Sequence, residues 1–197
     1  MCQFIETIQI NKGVVRNVKY HNLRMNMVRK DMFGLAQPID LTDYIDCSIS
    51  DDVVKCRVVY DSEVRNVSYA PYVMRKVNTL KIVYDNEIDY HYKSINRDCL
   101  TSLYAGRGDN DDVLIIRNLL ITDTSIANVA LEKDGCWYTP TLPLLKGTQR
   151  AALLDNGIVK ERDICVDDVY SFSCIAIFNA MIEFGSLVLD INRDTIR

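Results

Sequence analysis

Four groups of residues in this 197-residue chain combine types and spacings that could do chemistry. Lys93 closes the run Ile88-Asp89-Tyr90-His91-Tyr92-Lys93. Read as a strand, that run puts Ile88, Tyr90 and Tyr92 on one face and Asp89, His91 and Lys93 on the other. An amine ending a strand could project into a cleft and act as a nucleophile once deprotonated. Asp123 lies in a mostly apolar segment, where a buried carboxylate needs a cationic or donor partner, and Asn128 follows it as a turn residue. Gly147-Thr148-Gln149 opens a helix. There Gly147 permits close backbone approach, and the amides of Thr148 and Gln149 point out of the helix N-terminus as a ready anion site. His21 and Arg24 share one face of an earlier helix, and a guanidinium there could grip a phosphate in forked geometry. Taken singly, each has an ordinary explanation: a solvated lysine, a strand-edge Asp, a helix after glycine and a surface arginine.

The elements that must position them are legible in outline. Phe4–Ile10 alternates as a strand, and Asn11-Lys12-Gly13 turns it back into Val14-Val15. Leu23, Met27, Val28 and Met32 recur at helical spacing until Gly34. A second helix is predicted at Leu41–Ile45, then strands at Val53–Val59 and Val64–Tyr69. Ala70-Pro71-Tyr72 reads as a junction, giving domains 1–71 and 72–197 with the lysine in the second and the site at their interface. Strands follow at Leu80–Tyr84 and Glu87–Tyr92 about a turn at Asp85-Asn86. A helix at Arg97–Tyr104, a polar loop at Gly106–Asp112 and a strand at Val113–Arg117 come next. Leu119–Leu131 is apolar and β-rich, Thr148–Leu154 is a helix, and strands close the chain near Cys174–Phe178 and Ser186–Leu189. The mixture predicts an α/β or α+β fold in two parts.

Composition narrows the field. The 23 Lys and Arg against 27 Asp and Glu, a formal charge of −4, form no basic stripe, so no nucleic-acid partner is expected. Seven cysteines without a CxxC pair and two histidines argue against a disulfide framework or a metal site. They read instead as buried apolar fillers in a reducing compartment. The start lacks the basic and apolar regions of a signal peptide, and no apolar stretch approaches membrane-spanning length. A cytoplasmic protein with no membrane partner is expected.

In chain order the motifs are H-x-x-R at His21 and Arg24, K-x-x-N-R at Lys93, Asn96 and Arg97, then an acid with Asn five positions on at Asp123 and Asn128. They continue with T-P at Thr139-Pro140 and G-x-x-R at Gly147 and Arg150. This series, with Phe4-Ile5-Glu6-Thr7-Ile8 and Gly13 before it, resembles the class IV aminotransferase family, the pyridoxal-phosphate enzymes of fold type IV. The resemblance runs from about Phe4 to Met181, and it implies that fold with a shortened N-terminal domain. It implies pyridoxal 5'-phosphate as cofactor, bonded by Lys93, with Asp123 facing the pyridine nitrogen and keeping it protonated. Arg24, Gly147 and the amides of Thr148 and Gln149, with the Thr148 hydroxyl, are implied as phosphate ligands.

Lys93-Ser94-Ile95-Asn96-Arg97 is similar to the segment after the cofactor lysine in members that convert 4-amino-4-deoxychorismate to 4-aminobenzoate and pyruvate, so that lyase activity is the activity implied. A branched-chain or D-amino-acid transaminase of the same family is the alternative, and a non-catalytic member keeping the fold is the second. A small-molecule amine substrate and a homodimer are implied as partners. The chain departs from the family pattern where Asp123 replaces the usual Glu, Thr148 an aliphatic residue and Ala130 an aromatic one. The Thr139–Gly147 loop is short, and most of the missing length precedes Lys93.

Overall fold

The computed structural model describes residues 2–48 and 53–197. The chain forms two compact units, one of residues 1–74 with 92–96 and one of residues 75–91 with 97–197. The break thus falls after Met74, a little beyond Pro71, and Lys93 belongs to the first unit although the sequence pattern assigns it to the second.

In the first unit β1 (Phe4–Asn11) turns through Gly13 into β2 (Val14–Val15). The helix α1 (Val18–Phe33) follows, with His21, Met25, Val28 and Arg29 buried along one face. It stops where Gly34 takes the left-handed conformation, φ 69°, and its N–H reaches the Lys30 carbonyl at 3.0 Å. Glycine adopts that geometry without a Cβ penalty. The second helix expected at Leu41–Ile45 is a single 3-10 turn, Leu41–Asp43, in which the Asp40 carboxylate accepts from the Thr42 N–H at 2.9 Å. After it come β3 (Val54–Tyr60) and β4 (Val64–Pro71), and the antiparallel sheet runs β2-β1-β3-β4. Pro71 ends the edge strand β4, where a missing N–H is tolerated. Phe4, Ile8 and Ile10 of β1 pack with Met25 and Val28 of α1 and Val58 of β3.

Residues 92–96 return to this unit as a strap along β1. The Ile5 N–H donates to the Lys93 carbonyl at 2.9 Å, the Ile95 N–H donates to the Gln3 carbonyl at 3.0 Å, and Ser94 bridges Phe4. The Tyr92 ring meets Phe4 edge-on, and its hydroxyl donates to Asp31 at 3.0 Å.

In the second unit β5 (Leu80–Tyr84) begins the sheet. The strand expected at Glu87–Tyr92 is absent. Asp89 accepts from the His91 N–H at 3.2 Å and lies against the His91 ring, so a side chain takes the donor that a ladder would use. The alternation survives without pairing: Ile88 and Tyr90 are buried while Asp89 and His91 are exposed. Then come α2 (Asp98–Ala105), β6 (Asp112–Arg117), β7 (Leu120–Thr124), β8 (Asn128–Lys133) and β9 (Cys136–Pro140). The β8–β9 hairpin turns on Asp134-Gly135, both at positive φ, an Asp-Gly hairpin signal. Thr139 and Pro140 therefore end a strand and are not loop residues.

The unit closes with α3 (Thr148–Asp155), β10 (Lys160–Arg162), β11 (Cys174–Phe178) and β12 (Val188–Asp190). The strand order is β10-β9-β8-β7-β6-β5, with β11 on β8 and β12 on β11. The pairs β5–β6 and β9–β10 are parallel. Beside β5 lie the last residues, where the Leu80 N–H donates to the Thr195 carbonyl at 2.7 Å.

Of the cysteines Cys56 is buried, Cys2 is exposed and the other five are partly exposed, so the expectation of seven buried fillers holds for Cys56 alone. Among the described residues no helix is long and apolar enough to cross a membrane.

Ile115 is fully buried in the middle of β6 and packs against Leu100 and Leu144. Ile115→Ala is expected to cost the second unit about 2–5 kcal/mol in urea denaturation.

Candidate active site

In the first unit the reactive groups collect under α1. Period two puts Glu6 on the same face of β1 as Phe4 and Ile8, which pack with α1. Glu6 is fully buried there. His21 and Arg24, three apart on the helix, both reach it. Arg24 Nε donates to Glu6 Oε1 at 2.9 Å and Nη2 to Oε2 at 2.6 Å, while His21 Nδ1–H donates to Oε2 at 2.5 Å. Burial resists the charge on Glu6, but the Arg24 guanidinium and the His21 bond outweigh it and hold the carboxyl at about 2. Burial lowers the His21 pKa and, against the pull of Glu6, the cations Arg24 and Lys93 lower it further, so the ring stays neutral. Lys93 lies near enough to act on this group from a half-buried position, its main chain tied to β1.

In the second unit the tight β7–β8 connection sets Asp123 directly opposite Asn128, which opens β8 and is not the turn residue expected. A spacing of five across such a turn places both side chains on one face of the sheet. Asn128 Nδ2 donates to Asp123 Oδ1 at 2.8 Å, and the Leu145 N–H donates to Oδ2 at 2.9 Å. Complete burial pushes the Asp123 carboxyl up to about 6, against the Leu145 and Asn128 bonds and the charge of Arg150, which lower it.

Gly147 caps α3 in extended geometry and brings no side-chain acceptor to the first-turn amides. A Cβ there would lie 1.9 Å from Asn128 Oδ1, so only glycine fits. Thr148 is buried at the helix start. The Gln149 side chain faces the turn before Phe184, donating to the Ile182 carbonyl at 3.1 Å and to the Asn179 carbonyl, and accepting from the Phe184 N–H at 2.8 Å.

Of the six residues the motifs single out, Lys93 and Arg24 stand together in the first unit, and Asp123, Gly147, Thr148 and Gln149 in the second. Three further arginines carry charge of the sign a carboxylate needs, but Arg29, Arg97 and Arg150 each donate to a main-chain carbonyl, of Ser62, Ser125 and Pro140 respectively. Two participants are missing from the six. Glu6 was readable as a charge on the apolar face of β1, and Asn128 as the second residue of an acid–amide pair.

Residues 54–187 match the family model for amino-transferase class IV. The chain is 32% identical, over 92% of its length and 98% of the relative's, to an uncharacterized protein of Haemophilus influenzae. A crystal structure named "putative 4-amino-4-deoxychorismate lyase", from Haemophilus somnus, is similar at a TM-score of 0.87 and 31% identity, covering 92% of this chain and 97% of that one. The pyridoxal-phosphate-bound form of a hypothetical aminotransferase from Mycobacterium tuberculosis shares the fold at a TM-score of 0.78 and 17% identity, covering 98% of this chain and 81% of that one. This chain therefore belongs to the class IV aminotransferase family. Its mixed α/β architecture is fold type IV with a short N-terminal part, the framework of a pyridoxal-phosphate-dependent enzyme.

The raised Asp123 carboxyl keeps its proton in the folded protein up to about pH 6, whereas the unfolded chain releases it near 3.8. Stability from this group therefore falls as pH rises through that window, by up to about 3 kcal/mol. Asp123→Asn is expected to remove that fall, seen as denaturation midpoints at pH 4.5 and pH 7.5 that lie closer together than in the wild type.

Proposed function

We propose that the chain is a pyridoxal-phosphate-dependent lyase that converts 4-amino-4-deoxychorismate to 4-aminobenzoate and pyruvate. The observation that carries the reading is Asp123: a fully buried acid beside a helix start whose cap position admits no side chain suits a ring nitrogen and a phosphate. Likeness to the Haemophilus somnus chain, and the run Lys93-Ser94-Ile95-Asn96-Arg97, favour the lyase over a transaminase.

Lys93 would bond the cofactor aldehyde, Asp123 would face the pyridine nitrogen, and Arg24 with the Thr148 and Gln149 amides at Gly147 would hold the phosphate. Bound there, the cofactor supplies an electron-withdrawing ring conjugated to the substrate nitrogen. Asp123, ionised above its titration point, favours the protonated ring nitrogen. The Lys93 Nζ would take the proton from the carbon bearing the substrate nitrogen, the ether C–O bond would break to release enolpyruvate, and a proton returned to that enol would give pyruvate. Aromatisation of the product drives the step, so the chain has only to orient the breaking bonds and carry protons. Glu6 fixes the plane of the Arg24 guanidinium through its paired bonds. We propose that the protein works as a homodimer.

Purified protein loaded with pyridoxal phosphate and reduced with borohydride is expected to carry a stable adduct at Lys93, mapped by peptide mass. Lys93→Ala is expected to lose the adduct and to slow 4-aminobenzoate release by about 10²–10⁴-fold. An adduct elsewhere, or none, removes the cofactor reading. Conversion of the bound cofactor to its amine form by branched-chain or D-amino acids replaces the lyase with a transaminase.

A further inference from the structure

We propose that Asn128 is a positioning residue, which fixes the Asp123 carboxylate against the start of α3 so that acid and helix terminus form one rigid support for the cofactor. The inference rests on the cofactor reading above, yet all of its geometry lies within the second unit.

Asn128 is the direct cross-strand partner of Asp123. Its amide nitrogen uses both hydrogens, one toward Asp123 Oδ1 and one toward the Leu145 carbonyl, each at 2.8 Å. Its oxygen occupies the space in front of Gly147. One buried amide thus ties β7 and β8 to the segment that leads into α3. Among the described residues, the groups that act on Asp123 include the Leu145 and Leu144 amides, Asn128, and the charged Arg150 from α3. Arg150 is itself bound to the Pro140 carbonyl and Glu161, both at 2.7 Å. Asn128 is therefore the side-chain donor that orients the acid, and being neutral it leaves the acid's charge to a cationic ring.

Gly147 has φ −70° and ψ 148°, a conformation that alanine adopts freely. Any effect of Gly147→Ala therefore comes from collision with Asn128. Thr139 serves as a control, because its buried hydroxyl donates to the Val129 carbonyl at 2.8 Å beside the same strand without touching Asp123.

Two readouts separate positioning from mere stability. The first is the pH midpoint of Asp123, followed by carbon-13 carboxyl NMR of cofactor-free protein with Asp123→Asn to assign the signal. The second is the affinity for pyridoxal phosphate, followed by absorbance. Asn128→Ala is expected to raise the Asp123 midpoint by about one unit and to weaken binding at pH 7 about twofold, with recovery at higher pH. Gly147→Ala is expected to shift the midpoint in the same direction and carries the test if Asn128→Ala fails to fold. Thr139→Val is expected to lower stability with the midpoint unmoved. Midpoints unchanged in both Asn128→Ala and Gly147→Ala overturn the proposal. Shifted midpoints in a protein that takes up no pyridoxal phosphate leave the positioning role standing and remove the cofactor reading instead.

Discussion

A carboxylate without water must have its charge met by donors fixed in place, and this chain solves that problem twice with opposite results. Glu6 and Asp123 are both buried away from solvent. Glu6 is gripped by a full cation on both oxygens and is held at about 2. Asp123 is met mainly by an amide side chain and main-chain N–H groups, and burial wins, taking it up to about 6. Bonds from a charged donor are roughly twice as strong as neutral ones, so partner type and not burial decides the outcome.

The two solutions suit two tasks. Glu6 is a permanent anion whose business is structural: it aligns Arg24 and accepts from His21 beneath α1. Asp123 is under-compensated, which makes an added cation nearby favourable. In the proposed reading that cation is a protonated ring nitrogen, and the cost of burying the acid becomes binding preference. The aspartate is one methylene shorter than the glutamate usual in the family. Here its reach is defined by the β7–β8 turn and by the Leu145 amide, so the shorter side chain has its own set of contacts.

Much of this was legible in the sequence because local rules and tertiary packing agreed. Alternation marked β1, the apolar spacing and Gly34 marked α1, and the ordered motifs gave the family. Lys93 was found through its neighbours Asn96 and Arg97, not through the strand supposed to carry it, since Asp89 diverts the His91 N–H and no ladder forms. The 3-10 turn at Leu41–Asp43 escaped because one capped turn and a short helix share a pattern. Glu6 escaped because its partners lie 15 and 18 residues away, on a helix whose docking onto β1 no local window reveals. Asn128 was noticed as a motif member, but its role depends on a register pairing that only the folded hairpin displays.

The strap at residues 92–96 bears on how the polypeptide comes off the ribosome. β1 is synthesised before the strap, yet Ile5 waits for the Lys93 carbonyl, and β5 emerges in between. The early sheet must therefore linger with an unsatisfied margin until the later half is under way. Genetic dissection at the junction after Met74 would sever the lysine from the sheet that anchors it.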